Sequence, residues 1–174
     1  STFNGKVYSK SFNDAFIAMK KLISLYSGCG GLDLGFHKAG FETMLATDIS
    51  KISCETLSLN KVSRKIINDD IRNISFKKYF NKIDGVIGGP PCPPYSQSRH
   101  YLTKKKNGLE DESAGFAVPE FFRVIEEVNP LFYFFENVDG FMYKTHKEAL
   151  NFLKSESDRL GYKISYSVLN CANY

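Results

Sequence analysis

Cys92 is the residue of this sequence that is best suited to nucleophilic chemistry. It follows an apolar run at residues 84–88, which predicts a buried strand, and it lies in the segment Gly89-Pro90-Pro91-Cys92-Pro93. Because prolines fix φ, the thiol is expected on a stiff loop at the carboxyl end of a strand, where α/β proteins place nucleophiles. Taken alone, the segment is explained equally well as a turn with an incidental buried cysteine.

Glu136 is the second candidate for catalysis, because it follows the continuous apolar run at residues 131–135. Such a run predicts a strand that is buried on both faces. A carboxylate directly after it costs free energy unless it is partnered or functional.

A glycine loop follows the first predicted strand, residues 22–26. Gly28, Gly30 and Gly31 permit a tight turn and a close approach of a ligand to the backbone. Strand, glycine loop and helix form the nucleotide-binding opening of a doubly wound sheet. The loop departs from the dinucleotide fingerprint, because Asp33 stands where the third glycine would be, and a turn without a ligand remains an alternative.

Two further strand ends carry acidic residues. Asp48 ends the predicted strand 42–47, about 20 residues after the glycine loop, which is the position of an acid that binds ribose hydroxyls. Its alternative role is the N-cap of a predicted helix over residues 50–60. Asp70-Ile71 follows a short predicted strand, and it would place a carboxylate and an apolar side chain beside an adenine, or form a solvated turn.

These residues depend on alternating strands and helices for their positions. The pattern predicts an α/β protein with a mostly parallel, doubly wound sheet, in which the carboxyl ends of the strands meet at one edge. Further helices are predicted over residues 73–81, 117–128 and 147–160, and a last strand over residues 162–169.

Composition excludes several classes of protein. The chain has 174 residues, 24% charged and 43% hydrophobic, with a net charge of +4, which indicates one soluble domain and permits a nucleic-acid partner. No run is long enough to span a membrane, and no signal peptide is apparent. The four cysteines form no CxxC pair, so neither a metal site nor a disulfide framework is expected, and a cytoplasmic location fits best.

Taken together, the motifs resemble those of the DNA (cytosine-5) methyltransferase family. The resemblance runs from about residue 22 to residue 174. The motifs that carry it are Tyr26-Ser27-Gly28-Cys29-Gly30-Gly31, Asp48, Asp70-Ile71, Gly89-Pro90-Pro91-Cys92 and Glu136-Asn137-Val138.

The resemblance implies a Rossmann-like fold that binds S-adenosyl-L-methionine. Tyr26 stands where the family usually has a phenylalanine against the adenine, and the glycine loop would hold the methionine part. Asp48 would take the ribose, and Asp70 with Ile71 the adenine. The implied cofactor-binding residues are Tyr26, Ser27, Gly28, Cys29, Gly30, Gly31, Asp48, Ile49, Asp70, Ile71 and Pro91.

The resemblance also implies a reaction. Cys92 would be the nucleophile that adds to C6 of cytosine, and Glu136 would hold a proton at N3, which burial behind Phe134 and Phe135 would favour. The activated ring then takes the methyl group at C5, and a base eliminates the C5 proton and the thiol. Because this ring cannot be reached inside a duplex, double-stranded DNA must present a flipped cytosine.

The chain departs from the family pattern in two places. Pro93-Pro94 follows the cysteine, where the family usually has glutamine. The target-recognition domain and the final motif are missing, so residues 22–174 are expected to form a partial catalytic domain, incomplete at its C-terminal end, after an N-terminal extension, residues 1–21. Either a second subunit carries the recognition domain or the chain is a truncated product. A bacterial restriction–modification system is the expected setting.

Three other functions remain open from the sequence. The chain could be a methyltransferase-like binding module that is inactive as a fragment, or an RNA cytosine-5 methyltransferase with the same motifs. A nicotinamide dehydrogenase is the third, and the broken glycine fingerprint and the Pro-Pro-Cys loop argue against it.

Overall fold

The structure is a computed structural model that describes residues 19–91, 116–138 and 147–173. Strands and helices alternate along the chain. They are β1 (Lys20–Leu25), α1 (Gly31–Lys38), β2 (Phe41–Asp48), α2 (Lys51–Asn60), β3 (Ile66–Asn68), β4 (Gly85–Gly88), α3 (Ala117–Val128), β5 (Phe132–Phe135) and α4 (Lys147–Arg159). Short 3₁₀ helices occupy Ile71–Asn73, Lys77–Tyr79 and Cys171–Asn173.

The five strands form one sheet in the order β3-β2-β1-β4-β5, and every neighbouring pair is parallel. The chain builds outward from β1 to β3, returns to the middle, and builds outward again through β4 and β5. The predicted α/β, Rossmann-like, doubly wound sheet is thereby confirmed. In such sheets ligands bind where the strand order reverses, here outside the carboxyl ends of β1 and β4.

The core lies along the central strands and under α3. Leu25, Leu45 and Val86 are fully buried on β1, β2 and β4. The predicted helix over residues 117–128 is confirmed, because its apolar residues recur at helical spacing and face this core. Its buried residues are Ala117, Val118, Phe121, Phe122, Val124, Ile125 and Val128.

The segment between β3 and β4 differs from its prediction. Residues 73–81 were expected to form one helix, and the structure has two 3₁₀ turns instead, Ile71–Asn73 and Lys77–Tyr79. Phe76 is fully buried between the turns, and its backbone N donates to Glu127 Oε2 on α3 at 2.6 Å. This anchoring of the backbone to a neighbouring helix interrupts the helical hydrogen-bond pattern.

The last part of the chain also departs from expectation. The run at residues 131–135 was predicted to be a fully buried strand, but it is only partly buried. Leu131 is 77% exposed and Phe134 is 42% exposed. The strand predicted over residues 162–169 is wrong, because this described segment is irregular and Val168 is 66% exposed. Alternation of apolar residues predicts a strand only where a partner strand supplies hydrogen bonds.

The predicted N-terminal extension falls largely outside this structure. The N-terminal extension, residues 1–21, is described only from residue 19, and Lys20 already belongs to β1. In the described ranges, no helix is both long enough and apolar enough to cross a bilayer.

Candidate active site

The glycine loop joins β1 to α1 at the carboxyl edge of the sheet. Gly28 and Gly30 have φ of +53° and +88°, a region that favours glycine. A Cβ added to Gly30 would stand 2.9 Å from Leu57 Cδ2, so this glycine packs against α2. Nothing lies within 4 Å of a Cβ built on Gly28 or Gly31. The loop therefore has a packed side and an open side, and a ligand can approach its backbone along the open side.

Asp33 is a fully buried carboxyl group in the first turn of α1. Its oxygens accept hydrogen bonds from Ser24 Oγ at 2.9 Å and from Thr43 Oγ1 at 3.0 Å. Ser27 Oγ donates to Ser24 Oγ at 2.8 Å. Burial raises the pKa of Asp33 above its ordinary value, while the two hydroxyl hydrogen bonds act in the opposite direction. The network joins α1, β1 and β2 to the first residues of the glycine loop.

Asp48 connects the end of β2 to the glycine loop. Gly28 N donates to Asp48 Oδ2 at 2.8 Å, and Ser50 N donates to Oδ1 at 2.8 Å. The alternative role of Asp48 as the cap of α2 is wrong, because Ser50 is the N-cap and its Oγ accepts from Ser53 N at 3.3 Å. Ile49 is 69% exposed at the same edge, where an apolar side chain can contact a ligand.

Asp70 follows β3, and Arg72 engages its carboxylate. Arg72 Nε lies 3.0 Å from Asp70 Oδ1, and the backbone N of Arg72 donates to the same oxygen at 2.9 Å. Hydrogen bonding by Arg72 holds the pKa of Asp70 below its usual value. The side chain of Ile71 is 5% exposed and belongs to the core cluster. Of this motif, Asp70 rather than the Ile71 side chain is accessible at the edge.

Tyr26 lies between the glycine loop and the start of α3. Its φ of +52° is uncommon for a residue other than glycine. Its hydroxyl donates to Ala117 O at 2.9 Å. Burial, followed by the negative charge of Glu120, raises the pKa of Tyr26 above its ordinary value. The hydroxyl therefore stays protonated at neutral pH and remains a donor that fixes the ring.

The turn after β4 lies against the segment after β5. Glu136 N donates to Gly88 O at 3.0 Å, which extends the pairing of the two strands. A Cβ on Gly89 would stand 2.7 Å from Glu136 Oε2. Asn137 Nδ2 donates to Pro90 O at 3.2 Å. These contacts bring the Gly-Pro-Pro turn and the Glu-Asn-Val segment together, as the sequence predicted for the two strand ends.

Of the two predicted catalytic residues, only Glu136 belongs to the described part of the chain. Cys92 lies outside the described residues, whereas Pro91, the residue before it, is described and exposed. Glu136 is exposed, so the expectation that Phe134 and Phe135 would bury its carboxyl group is wrong for this chain. Phe134 is itself at the surface, because β5 is the last strand of the described sheet.

The described cysteines show no sign of a metal centre. Cys29 is exposed in the glycine loop and Cys54 is buried. Burial raises the pKa of Cys54, whose Sγ lies 3.4 Å from Asp48 O. Among the residues that the structure describes, no group of histidine, cysteine and acidic side chains could hold a metal ion.

Curated proteins similar to this chain are Type II methyltransferases. M.NgoPII of Neisseria gonorrhoeae is 36% identical over 154 residues, which cover 88% of this chain and 43% of that protein. M.AquIA of Picosynechococcus is 38% identical over 170 residues, which cover 89% of this chain and 66% of that protein. The chain therefore spans less than half of the first relative and 66% of the second.

Solved structures agree on the fold. A DNA modification methyltransferase encoded within an Escherichia coli prophage matches with a TM-score of 0.64 and 29% identity, covering 80% of this chain and 38% of that chain. A mutant of Spodoptera frugiperda DNMT2 matches with a TM-score of 0.55 and 21% identity, covering 79% and 41%, and shows likeness of fold alone.

A family model for C-5 cytosine-specific DNA methylases matches residues 20–174, which include all the strand ends described above. The chain belongs to the C-5 cytosine-specific DNA methylase family.

Proposed function

We propose that this chain is the catalytic part of a DNA (cytosine-5) methyltransferase of a restriction–modification system. The observation that carries the proposal is the contact between the Gly89-Pro90 turn and the Glu136-Asn137 segment, at the edge that also carries the glycine loop. Cys92, the nucleophile by resemblance, follows this turn in the sequence. A nucleophile and a carboxylate on neighbouring strand ends, beside a ligand loop, suit covalent activation of a base.

The described residues of this edge fit S-adenosylmethionine, which supplies an electrophilic methyl group on a positively charged sulfur. Gly28 and Gly31 leave open space over the loop, where an added Cβ would meet no atom. Asp48 uses one acceptor site of each oxygen on backbone N–H groups, and the remaining sites suit ribose hydroxyls. In this proposal the adenine lies near Tyr26 and Asp70.

The chain's own catalytic groups have separate tasks. Cys92 adds through its thiolate to C6 of a flipped cytosine, which raises the electron density at C5. After C5 is methylated, a base removes the C5 proton and Cys92 leaves C6 as the thiolate. Glu136 holds a proton at N3 of the ring. Because Glu136 is exposed in this chain, we propose that the flipped base and the rest of the enzyme cover it during the reaction.

Sequence-specific methylation of double-stranded DNA requires a target-recognition region in this proposal. That region is supplied by a further segment of the protein or by a second polypeptide, since this chain spans 43% of M.NgoPII. The bacterial cytoplasm is the proposed location, because the relatives named above are bacterial Type II methyltransferases.

Covalent trapping tests the catalytic assignment. The complete protein, with any separately encoded recognition region, is incubated with a duplex that contains 5-fluorocytosine and with tritiated S-adenosylmethionine. The parent protein and Cys54→Ser, the same atom exchange at a buried cysteine that is not itself a proposed site residue, should form a covalent complex. Cys92→Ser should form none and should still bind S-adenosylhomocysteine.

The nucleophile assignment and two of the alternative functions have distinct outcomes in this experiment or in calorimetry. A covalent complex formed by Cys92→Ser would refute the nucleophile assignment. Trapping on a 5-fluorocytosine RNA and not on DNA would favour the RNA methyltransferase. Calorimetric binding of NAD in place of S-adenosylmethionine would favour the dehydrogenase.

A further inference from the structure

Arg72 makes two kinds of contact at the end of β3. Its guanidinium group bonds both carboxylate oxygens of Asp70, with Nε 3.0 Å from Oδ1 and 3.1 Å from Oδ2, and with Nη2 on Oδ2. The centre of the guanidinium group also lies 4.2 Å from the centre of the Phe116 ring. A planar fork can pair with a carboxylate along its edge and stack on an aromatic ring with its face, whereas a lysine ammonium cannot do both.

Phe116 connects this pair to the proposed cofactor site. It directly precedes Ala117, whose carbonyl accepts the Tyr26 hydroxyl at 2.9 Å. Arg72, Phe116 and Tyr26 thus lie on three segments that meet around the position of Asp70. The side chain of Asp70 is 16% exposed, so one part of its carboxylate faces solvent at this edge.

We propose that Arg72 is a positioning residue that makes the site selective for a purine with an amino group at position 6. This inference rests on the proposed function, because it concerns the adenine end of the same cofactor site. Arg72 acts through Asp70: it fixes the plane of the carboxylate and leaves one of its acceptor sites free for a hydrogen bond from the ligand.

The acceptor sites of Asp70 can be counted. A carboxylate has about four lone-pair sites on its two oxygens. The backbone N of Arg72, Nε and Nη2 engage three of these sites, with Nε shared between the oxygens. Three N–H donors therefore meet about four lone-pair sites, which leaves room on the carboxylate for one outside donor.

The charge state of Asp70 determines whether the site accepts or donates a hydrogen bond. Hydrogen bonding by Arg72 lowers the pKa of the Asp70 carboxyl group, so it stays ionised and can only accept. A 6-amino group donates to such an oxygen. A 6-oxo group presents a second acceptor, and the two oxygens would repel each other without a hydrogen bond.

The test compares two ligands that differ only at this position. S-Adenosylhomocysteine and S-inosylhomocysteine, in which a carbonyl replaces the 6-amino group, are titrated calorimetrically into the 174-residue chain. The parent chain should bind the adenosyl ligand at least about tenfold more tightly. Arg72→Gln should reduce this ratio at least about threefold, since the fork that fixes Asp70 is lost.

Arg64→Gln is the matched control. Arg64 bonds Glu42 at 2.6 Å and is 65% exposed, compared with 55% for Arg72, and it lies before β3 rather than after it. Its substitution removes a similar surface ion pair and should leave the ligand ratio unchanged. Thermal unfolding of each variant reports any general loss of stability.

The outcomes distinguish a failure of the role proposed for Arg72 from a failure of the proposed cofactor site. If Arg72→Gln weakens both ligands by the same factor, Arg72 has a structural role only and this inference is overturned, while the proposed function stands. If the parent chain binds neither ligand, the cofactor site itself is refuted, and the role of Arg72 with it.

Discussion

The glycine-loop side of the sheet and the β5 side differ in how deeply their strands are buried. On the glycine-loop side, Leu25 of β1 and Leu45 of β2 are 0% exposed. On the β5 side, Leu131 is 77% exposed and Phe134 is 42% exposed. β1 and β2 on the glycine-loop side therefore contain fully buried residues, whereas β5, which precedes Glu136, contains none. The glycine-loop side also leaves some apolar surface open, since Ile49 is 69% exposed.

The polar groups show the same contrast. The buried carboxyl group of Asp33 finds both of its hydroxyl donors, Ser24 and Thr43, within the glycine-loop side. Glu136 on the other side is exposed. Under the proposed function, cofactor binding can therefore be tested on this chain, while catalysis is proposed to need a cover over Glu136.

The largest expected effect compares two leucine truncations. Leu25→Ala should lower the free energy of unfolding by about 3 kcal/mol, because it removes a fully buried side chain from the core. Leu131→Ala, on the β5 side, should change it by less than about 0.5 kcal/mol. Urea denaturation measures both values. Equal losses would show that the β5 side is enclosed after all.

A second comparison uses the two glycines at the end of β4. A Cβ on Gly88 would stand 2.7 Å from the backbone oxygen of Leu25, which cannot move away, so Gly88→Ala should cost about 2 kcal/mol of unfolding free energy. A Cβ on Gly89 would stand 2.7 Å from Glu136 Oε2, the end of a side chain that can rotate. Gly89→Ala should therefore cost less than about 1 kcal/mol.

Gly89→Ala should nevertheless impair the reaction. Displacing the Glu136 carboxylate by about 1 Å should lower the rate of methyl transfer by the complete enzyme at least about tenfold. A tritium-transfer assay measures this rate. Full activity of Gly89→Ala, or a stability loss equal to that of Gly88→Ala, would contradict the proposed arrangement.

The third comparison concerns pH and Asp33. Because burial raises the pKa of Asp33 in the folded state, its contribution to stability is complete below the ordinary aspartate pKa and is lost as pH rises through the folded-state pKa. Asp33→Asn, which cannot ionise, should be about 1 kcal/mol less stable than the parent near pH 4. This gap should narrow toward pH 7. A gap that widens with pH would show that the ionised carboxylate is the stabilised form.

The smallest expected effect concerns the start of α2, next to Asp48. Ser50→Ala removes the oxygen that accepts from Ser53 N and should cost about 1 kcal/mol. Ser58→Ala, at an exposed position within the same helix, is the matched control and should be neutral or slightly stabilising. Denaturation midpoints compare the two variants, and equal effects would exclude capping by Ser50.

The positions of the strand ends could be predicted from the sequence because glycine, proline and acidic residues interrupt apolar runs. Asp48, Asp70 and Glu136 each follow such a run, and the parallel sheet brings them to one edge. Apolar residues at 162–169 alternate as in a strand, but the structure has no strand there. A local pattern does not show whether a partner strand is available.

Two polar contacts could not be found by the same reasoning. In the sequence, Asp33 is notable only because it replaces the third glycine of the dinucleotide fingerprint. Its hydrogen-bond partners, Ser24 and Thr43, lie on two different strands, so their contact with Asp33 depends on the fold. The spacing of Asp70 and Arg72 permits an ion pair, but such pairs are usually solvated and carry no sequence signature. Only the fold places Arg72 against Phe116.

The central claim is that the open side of the glycine loop binds the cofactor, and Gly31→Ala tests it most directly. An added Cβ meets no atom within 4 Å at Gly31 or at Gly35, which lies in the same helix and serves as the control. Both alanine variants should therefore keep the parent's thermal stability. Calorimetry should then show S-adenosylhomocysteine binding unchanged in Gly35→Ala and weakened at least about tenfold in Gly31→Ala. Equal binding by both variants, or no binding by the parent chain, would contradict the account.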